Sequence, residues 1–250
     1  MEIRSKSRRL DELLVGRGYF ATRSRARDAI LRGTVTVDGA IAMKPGQAAG
    51  EAAEINVADP ARNYVSRSAL KLVHGLDAFG FDPTGRTALD IGASTGGFTQ
   101  VLLERGAAHV IAVDVGHGQM RPELAADPRV TNVEGVNARD LDASMLAGGA
   151  PDFIACDVSF ISIRLALPAA LALAARGALA VILVKPQFEV GRQAVGKGGV
   201  ADREAAEAVA DELRQWLETQ PGWRALGLAA SPIEGGDGNR EFLLGGVKDR

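Results

Sequence analysis

The stretch 88–100, ALDIGASTGGFTQ, constrains this chain more than any other. An apolar run enters small residues and glycines, and the helix-forming VLLERG follows at once. A strand feeding a glycine turn and then a helix opens a nucleotide-binding unit, because amides at the helix start can face the ligand. Three ligands compete for it. A phosphate-cradling P-loop ends in Gly-Lys-Ser/Thr, which this turn lacks. A dinucleotide turn reads Gly-x-Gly-x-x-Gly, whereas Gly92, Ser94 and Gly97 give Gly-x-Ser-x-x-Gly with Asp90 inside the strand, a poor fit. The third is S-adenosylmethionine. Here an acid at the strand end, Asp90, precedes the small-residue loop, and a second acid, Asp114, closes the next apolar run, HVIAVDV. Asp114 can then accept from two ribose hydroxyls. The spacing of Asp90, Gly92, Gly96 and Asp114 fits this third ligand, against a turn whose glycines are structural only.

Past residue 67, apolar runs alternate with helical patterns. Strands are expected at 87–92, 109–115, 130–134, 152–158, 178–185, 222–231 and 241–248, and helices near 68–79, 98–105, 162–175 and 203–218. This alternation predicts an α/β domain, a doubly wound Rossmann-like sheet whose last two strands, around SPIEGGDGNR, form a terminal antiparallel pair. The front end differs. RLDELLVGRG spaces Leu10, Leu13 and Leu14 for a helix that Gly18 stops, and Thr22 or Ser24 can cap a second helix over 24–33. TVTVDGAIA then alternates around Asp38-Gly39, a hairpin signal. Residues 1–47 carry ten Lys/Arg against five Asp/Glu, a net of +5; with −2 overall, the remainder carries −7. A small basic α+β unit on an acidic body fits a nucleic-acid arm, although a solvated helix face has the same composition. The expected organisation is a front domain over 1–60, a linker over 61–67 and the α/β domain over 68–250.

Doubly wound sheets bind ligands at the carboxyl ends of their strands, so residues there are candidates. EGVNARDL ends the third strand with Asn137 and Asp140, either of which can reach an adenine edge. DFIACDVSFIS ends the fourth with Asp157, then Ser159 and Phe160. VILVKPQFE ends the fifth with Lys185 directly after four aliphatics, an unusual place for a mere surface charge. GNREFL brings Glu241 to the start of the last strand, and Lys71 sits on the helix before the first. The candidate cofactor set is Asp90, Gly92, Ser94, Gly96, Gly97, Phe98, Asp114, Asn137 and Asp157. Cys156 reads as a packed apolar thiol. His74, His109 and His117 lack metal-ligand spacing, so no metal is expected. VGKGGV, with Lys197, reads either as an RNA contact or as a mobile loop.

Two resemblances rest on these residues. Arg9, Leu10, Asp11, Leu14, Ser24, Arg25, Ala29, Ile30, Gly33, Val35, Val37, Asp38 and Gly39 together resemble the S4 RNA-binding domain. That resemblance implies an RNA-facing set of Arg9, Arg23, Arg25, Arg27 and Arg32, with Arg67 beyond, which suits RNA read by shape and backbone. The order Lys71, Asp157, Lys185, Glu241 resembles the K-D-K-E tetrad of FtsJ-type RNA 2′-O-methyltransferases. Over nearly its full length the chain is similar to the TlyA family of ribosomal RNA methyltransferases, also called haemolysin A. The carrying segments are RLDELLVGRG, YVSRSALKL, LDIGASTGGFT, VDVGHGQM, DVSFIS, VKPQFE, VGKGGV and GNREF. The resemblance implies S-adenosylmethionine as cofactor and methyl transfer to a ribose 2′-hydroxyl of ribosomal RNA, a cytidine of 16S or 23S RNA. Ribosomal RNA or subunits are then the partners, and the location is cytoplasmic. Lys185 is expected as the base and Asp157 as its orienter, with Lys71 and Glu241 positioning the hydroxyl. His117 stands where an aromatic such as Tyr is expected.

Other classes fit less of the sequence. The most membrane-like stretch, 165–184, contains Pro168 and is split by Arg176-Gly177 into a helix, a stop and a strand. The opening MEIRSKSRRL has no signal-peptide pattern, and one cysteine leaves no internal disulfide, which fits a reducing compartment. These features argue against a pore-forming cytolysin. The intact tetrad argues against a non-catalytic RNA-binding assembly factor, and the basic arm against a small-molecule methyltransferase.

Overall fold

A computed structural model describes residues 7–190, 196, 198–236 and 238–249, so Lys197 lies outside the described residues. The chain divides into two compact units between Asn63 and Tyr64.

In the first unit, β1 (Ser7–Arg9) leads into α1 (Leu10–Gly16), followed by α2 (Arg23–Leu31), β2 (Val35–Val37), β3 (Ala40–Ile41), β4 (Ala48–Gly50) and β5 (Ile55–Val57). Thr22 is the residue that caps α2, accepting from the Arg25 amide. Asp38 and Gly39 both have positive φ, the two-residue turn whose twist suits a hairpin. Leu10, Leu14, Ala26, Ile30 and Val35 form the centre of the core. β2 lies between β3 and β5, and β1 pairs with β4. Strands β1, β4 and β5 go beyond the two helices and hairpin expected. Each has three residues, too few for alternation to register.

The second unit runs α3 (Ala69–Phe79), β6 (Thr87–Ile91), α4 (Gly97–Glu104), β7 (His109–Asp114), α5 (Pro122–Ala125), β8 (Val130–Glu134), β9 (Phe153–Cys156), α6 (Ile163–Ala166), α7 (Pro168–Leu173), β10 (Leu179–Val184), α8 (Arg203–Thr219), β11 (Trp223–Ala230) and β12 (Phe242–Lys248). The helix expected over 162–175 is two helices, because Pro168 has no N–H to continue the ladder and instead starts α7. The seven strands are ordered β11-β12-β10-β9-β6-β7-β8, and β12 is antiparallel to both neighbours. The last strand is therefore not at the edge but inserted between β10 and β11. Alternate strand residues face opposite sides. Leu89, Ile111, Ile154 and Ile182 enter one core with α7 and α8 residues, while Ala88, Val110, Phe153 and Val181 enter the other with α3 and α4 residues.

Two glycines let α3 approach the sheet and its neighbour. A Cβ at Gly75 would come within 2.7 Å of Val181 Cγ1, and one at Gly97 within 2.7 Å of Ser68 Oγ. The far end of the sheet is tied down by Lys248. Its ammonium donates to the carbonyls of Leu171, Ala172 and Ala174 at 2.8, 3.1 and 2.7 Å, closing the end of α7, and the Trp223 indole N–H adds to Leu171. Replacing Lys248 with Met would take the side-chain donor from the Ala172 and Ala174 carbonyls, while Leu171 keeps Trp223, a loss of about 2 kcal/mol. Urea unfolding of Lys248→Met should show that loss; an unchanged midpoint would contradict this role.

Candidate functional site

The sheet order reverses around β6, whose neighbours are β7 on one side and β9 on the other. The loops leaving β6 and β9 diverge there and open a crevice at their carboxyl ends. At its base the two loops nearly touch. The Asp157 amide donates to the Ile91 carbonyl at 2.9 Å, and a Cβ on Gly92, whose φ is +83°, would come within 2.7 Å of the Asp157 carbonyl oxygen. Only glycine satisfies both the conformation and the space. A cavity of about 720 Å³ lies in this crevice, and Gly92, Ser94, Asp114, Asn137 and Asp157 all line it.

Asp114 is fixed on both sides. Its Oδ2 accepts from the Ser94 amide at 2.8 Å and its Oδ1 from the Gly116 amide at 2.7 Å. Each carboxylate oxygen keeps further acceptor capacity for a hydroxyl. Gln119 also lines the cavity and accepts from Ser94 Oγ at 3.1 Å. Sequence reasoning passed over Gln119 because an isolated glutamine after Gly-His-Gly carries no pattern. Of the two candidates on the third strand's loop, Asn137 lines the cavity and Asp140 does not; the Asn137 side-chain Oδ1 accepts from the Arg139 amide at 3.1 Å.

Four of the predicted contacts lie off the cavity wall. Phe98 is buried in the core beneath α4, because its place on the helix turns it toward the sheet. Gly96 and Gly97 serve packing: a Cβ on Gly96 would meet Leu124 Cδ1 at 2.5 Å, and Gly97 is pressed by Ser68. Asp90 is fully buried. Its Oδ2 accepts from Thr99 Oγ1 at 2.6 Å, while Oδ1 has no hydrogen-bond partner. Burial pushes its carboxyl up to about 7 against the opposing Thr99 bond, and the negative charges of Asp157 and Asp114 add to the rise. His117 is exposed beside Gly135, away from the cavity lining.

The predicted tetrad forms two lysine–acid pairs. Lys71, from α3, meets Glu241 in a buried ion pair and hydrogen bond. Lys185 lies 2.6 Å from Asp157 Oδ1, an ion pair without hydrogen-bond alignment, and donates instead to Ser159 Oγ at 2.7 Å. Strand register brings these pairs to one end of the sheet. Val184 faces Phe242 across β10 and β12, so the next residue on one strand and the preceding one on the other are Lys185 and Glu241. Ile91, Cys156 and Ile182 align across β6, β9 and β10, which puts Asp157 at the same level. Phe160 stands beside the pairs on the cavity wall. It has positive φ, is 89% exposed, and its ring lies 4.9 Å from that of Phe188. An exposed aromatic held in strained backbone was not readable from DVSFIS.

The arginines of the first unit separate into two groups. Arg32 is taken up by Asp59, which it grips at 2.8 and 2.9 Å, and by Asp28 at 2.9 Å. Arg25 donates to the carbonyls of Ala61 and Arg62. These two hold the segment leaving the unit. Arg9, Arg23 and Arg27 are exposed. In the second unit, Arg67 accepts through its carbonyl from the Leu70 amide as α3 begins.

Comparison with known proteins agrees with this geometry. The family of FtsJ-like methyltransferases matches residues 64–248, and the S4 domain matches 8–55. The 16S/23S rRNA (cytidine-2′-O)-methyltransferase TlyA of Mycobacterium tuberculosis is 46% identical over 239 residues, covering 94% of this chain and 88% of the relative. Hemolysin A of Brachyspira hyodysenteriae is 38% identical, covering 94% and 98%. A solved structure from Streptococcus thermophilus, described as a candidate hemolysin, has a TM-score of 0.75 and 38% identity, covering 98% of this chain and 89% of its own. Among the described residues no helix is long and apolar enough to cross a membrane.

Asp90 gives the site a pH signature. Its carboxyl titrates higher in the folded protein than the ordinary 3.8, so the native state keeps a proton that the unfolded chain releases. The associated stability is present at low pH and is lost as pH rises toward and through about 7. The unfolding midpoint should therefore fall between pH 5 and 8, and Asp90→Asn should flatten that fall. A wild-type slope retained in the variant would contradict the assignment.

Proposed function

Because the chain belongs to the FtsJ-like methyltransferases, in the branch that contains TlyA, we propose that it uses S-adenosylmethionine to methylate the ribose 2′-hydroxyl of a cytidine in ribosomal RNA. The convergence of the Lys185–Asp157 and Lys71–Glu241 pairs on one end of the sheet, beside the cavity, carries this reading.

The residues present fit the cofactor. Asp114, anchored by two amides, supplies acceptors for a ribose diol, and the unpartnered Asp90 oxygen offers negative character suited to a cationic ligand. Gly92 allows backbone to approach where any side chain would collide. When bound, S-adenosylmethionine supplies an electrophilic methyl group. The protein must bring a ribose hydroxyl into line and remove its proton, and alignment supplies a large share of the acceleration. Lys185, held by Asp157 and Ser159, accepts that proton as the new oxygen–carbon bond forms. The buried Lys71–Glu241 pair helps to position the hydroxyl. Phe160 offers an exposed ring on which an unstacked base can lie, since single-stranded RNA is commonly held by aromatic stacking. On the first unit, Arg9, Arg23 and Arg27 present charge to the RNA backbone.

Labelled methyl transfer to isolated 30S and 50S subunits, followed by mapping of 2′-O-methyl positions, tests the reaction; no label in ribosomal RNA would overturn it. Lys185→Ala should lower the rate by at least ~100-fold while cofactor binding by calorimetry stays near wild type. A Lys185→Ala protein that keeps a near wild-type rate would remove Lys185 from the role of base.

A further inference from the structure

The first unit contains a buried carboxylate that binds two of its exposed arginines. Asp11 is 0% exposed, yet Arg9 Nε reaches its Oδ1 at 3.1 Å, Arg9 Nη2 its Oδ2 at 3.3 Å, and Arg23 Nη2 the same Oδ2 at 3.0 Å. The Glu12 amide completes the set on Oδ1 at 3.0 Å. Burial alone would raise this carboxyl; the two guanidinium groups overcome it and hold Asp11 below the usual range. Arg9 is confined from another side as well. A Cβ on Gly46 would come within 2.9 Å of its Nη1 and 3.2 Å of its Cζ, so the guanidinium lies directly against that glycine.

The consequence is an ordered pair. Arg9 and Arg23 come from β1 and α2, their side chains are 48% and 51% exposed, and one carboxylate joins them. Arg9 Nη1 and Arg23 Nε have no partner among the described residues. Two planar forks with unused donors suit the oxygens of a phosphodiester. Glu12, 36% exposed and 3.1 Å from Arg23 Nη1, occupies a donor that a phosphate would otherwise take.

We propose that Arg9 and Arg23 form a prearranged phosphate site for structured RNA and that buried Asp11 is its positioning residue, acting through the arginines rather than touching RNA. This rests on the reading of the first unit as RNA-binding. It predicts opposite effects from neutralising adjacent acids. Simple electrostatics makes both Asp11→Asn and Glu12→Gln bind RNA more tightly, since each removes a negative charge. With Asp11 as organiser, Glu12→Gln tightens binding about threefold, whereas Asp11→Asn weakens it about tenfold because two side chains must then be ordered on binding. The salt dependence of Asp11→Asn also becomes shallower by about one counterion.

The measurement is fluorescence anisotropy of a labelled RNA hairpin with the full chain across a KCl series, with circular dichroism to establish folding. Gly46→Val is the independent variant should Asp11→Asn fail to fold: it displaces Arg9 without changing any charge, and a roughly fivefold loss of affinity is expected. In an Arg9→Gln/Arg23→Gln background, Asp11→Asn should have no further effect. Tighter binding by Asp11→Asn, wild-type affinity in folded Gly46→Val, or an undiminished Asp11→Asn effect in that background would each overturn the proposal while leaving RNA binding intact. A wild-type chain that does not bind the hairpin, or one indifferent to Arg9→Gln/Arg23→Gln, would instead overturn the RNA reading of the arginine pair itself.

Discussion

The near-contact between Gly92 and the Asp157 carbonyl is the constraint on which the site depends. At the point where strand order reverses, one loop must turn toward α4 and the other toward the catalytic acid, and both start from adjacent strands. The backbone hydrogen bond from Asp157 to Ile91 draws them together, and the positive φ at Gly92 then separates them. This junction sets where Asp157 stands relative to the cavity, and with it Lys185. The spacing of the two lysine–acid pairs therefore follows from strand register.

Charge in the second unit is arranged in opposed pairs. Two lysines in a largely buried region would repel and desolvate; Glu241 and Asp157 neutralise them one for one. Asp90 is treated otherwise, with one hydroxyl bond and one unpartnered oxygen. A buried, half-satisfied carboxyl raises the free energy of the empty protein, and a ligand bearing positive charge would relieve that penalty.

Much of this was legible in the sequence, for identifiable reasons. The central strands of the larger unit were visible because they are aliphatic runs closed by a polar residue, as in VILVKPQ. Asp157 and Lys185 stood out because they sit where such runs end, whereas Lys71, on a helix, and Glu241, ahead of β12, came from the resemblance in residue order. The place of β12 between β10 and β11 was not visible, since local pattern fixes a strand's existence but not its neighbours. The core position of Phe98 was not legible because a residue adjoining a glycine turn can face either way, and helix phase decides. The partners of Arg32 and Arg25 were hidden for a related reason: a basic cluster shows charge, whereas the acids and carbonyls that engage it, such as Asp59 and Ala61, lie many residues away.

The inserted position of β12 also bears on how the molecule is assembled. Three of the four tetrad residues belong to segments that are synthesised well before Glu241, and Glu241 enters only when β12 threads between two strands already made. Pairing of β10 with β12 spans α8 and β11, a non-local closure of the kind that forms late. Until it forms, Lys71 lacks its counter-ion and β10 presents an open edge. Completion of the sheet and completion of the buried Lys71–Glu241 pair are therefore one event, which ties that ion pair to the integrity of the finished fold.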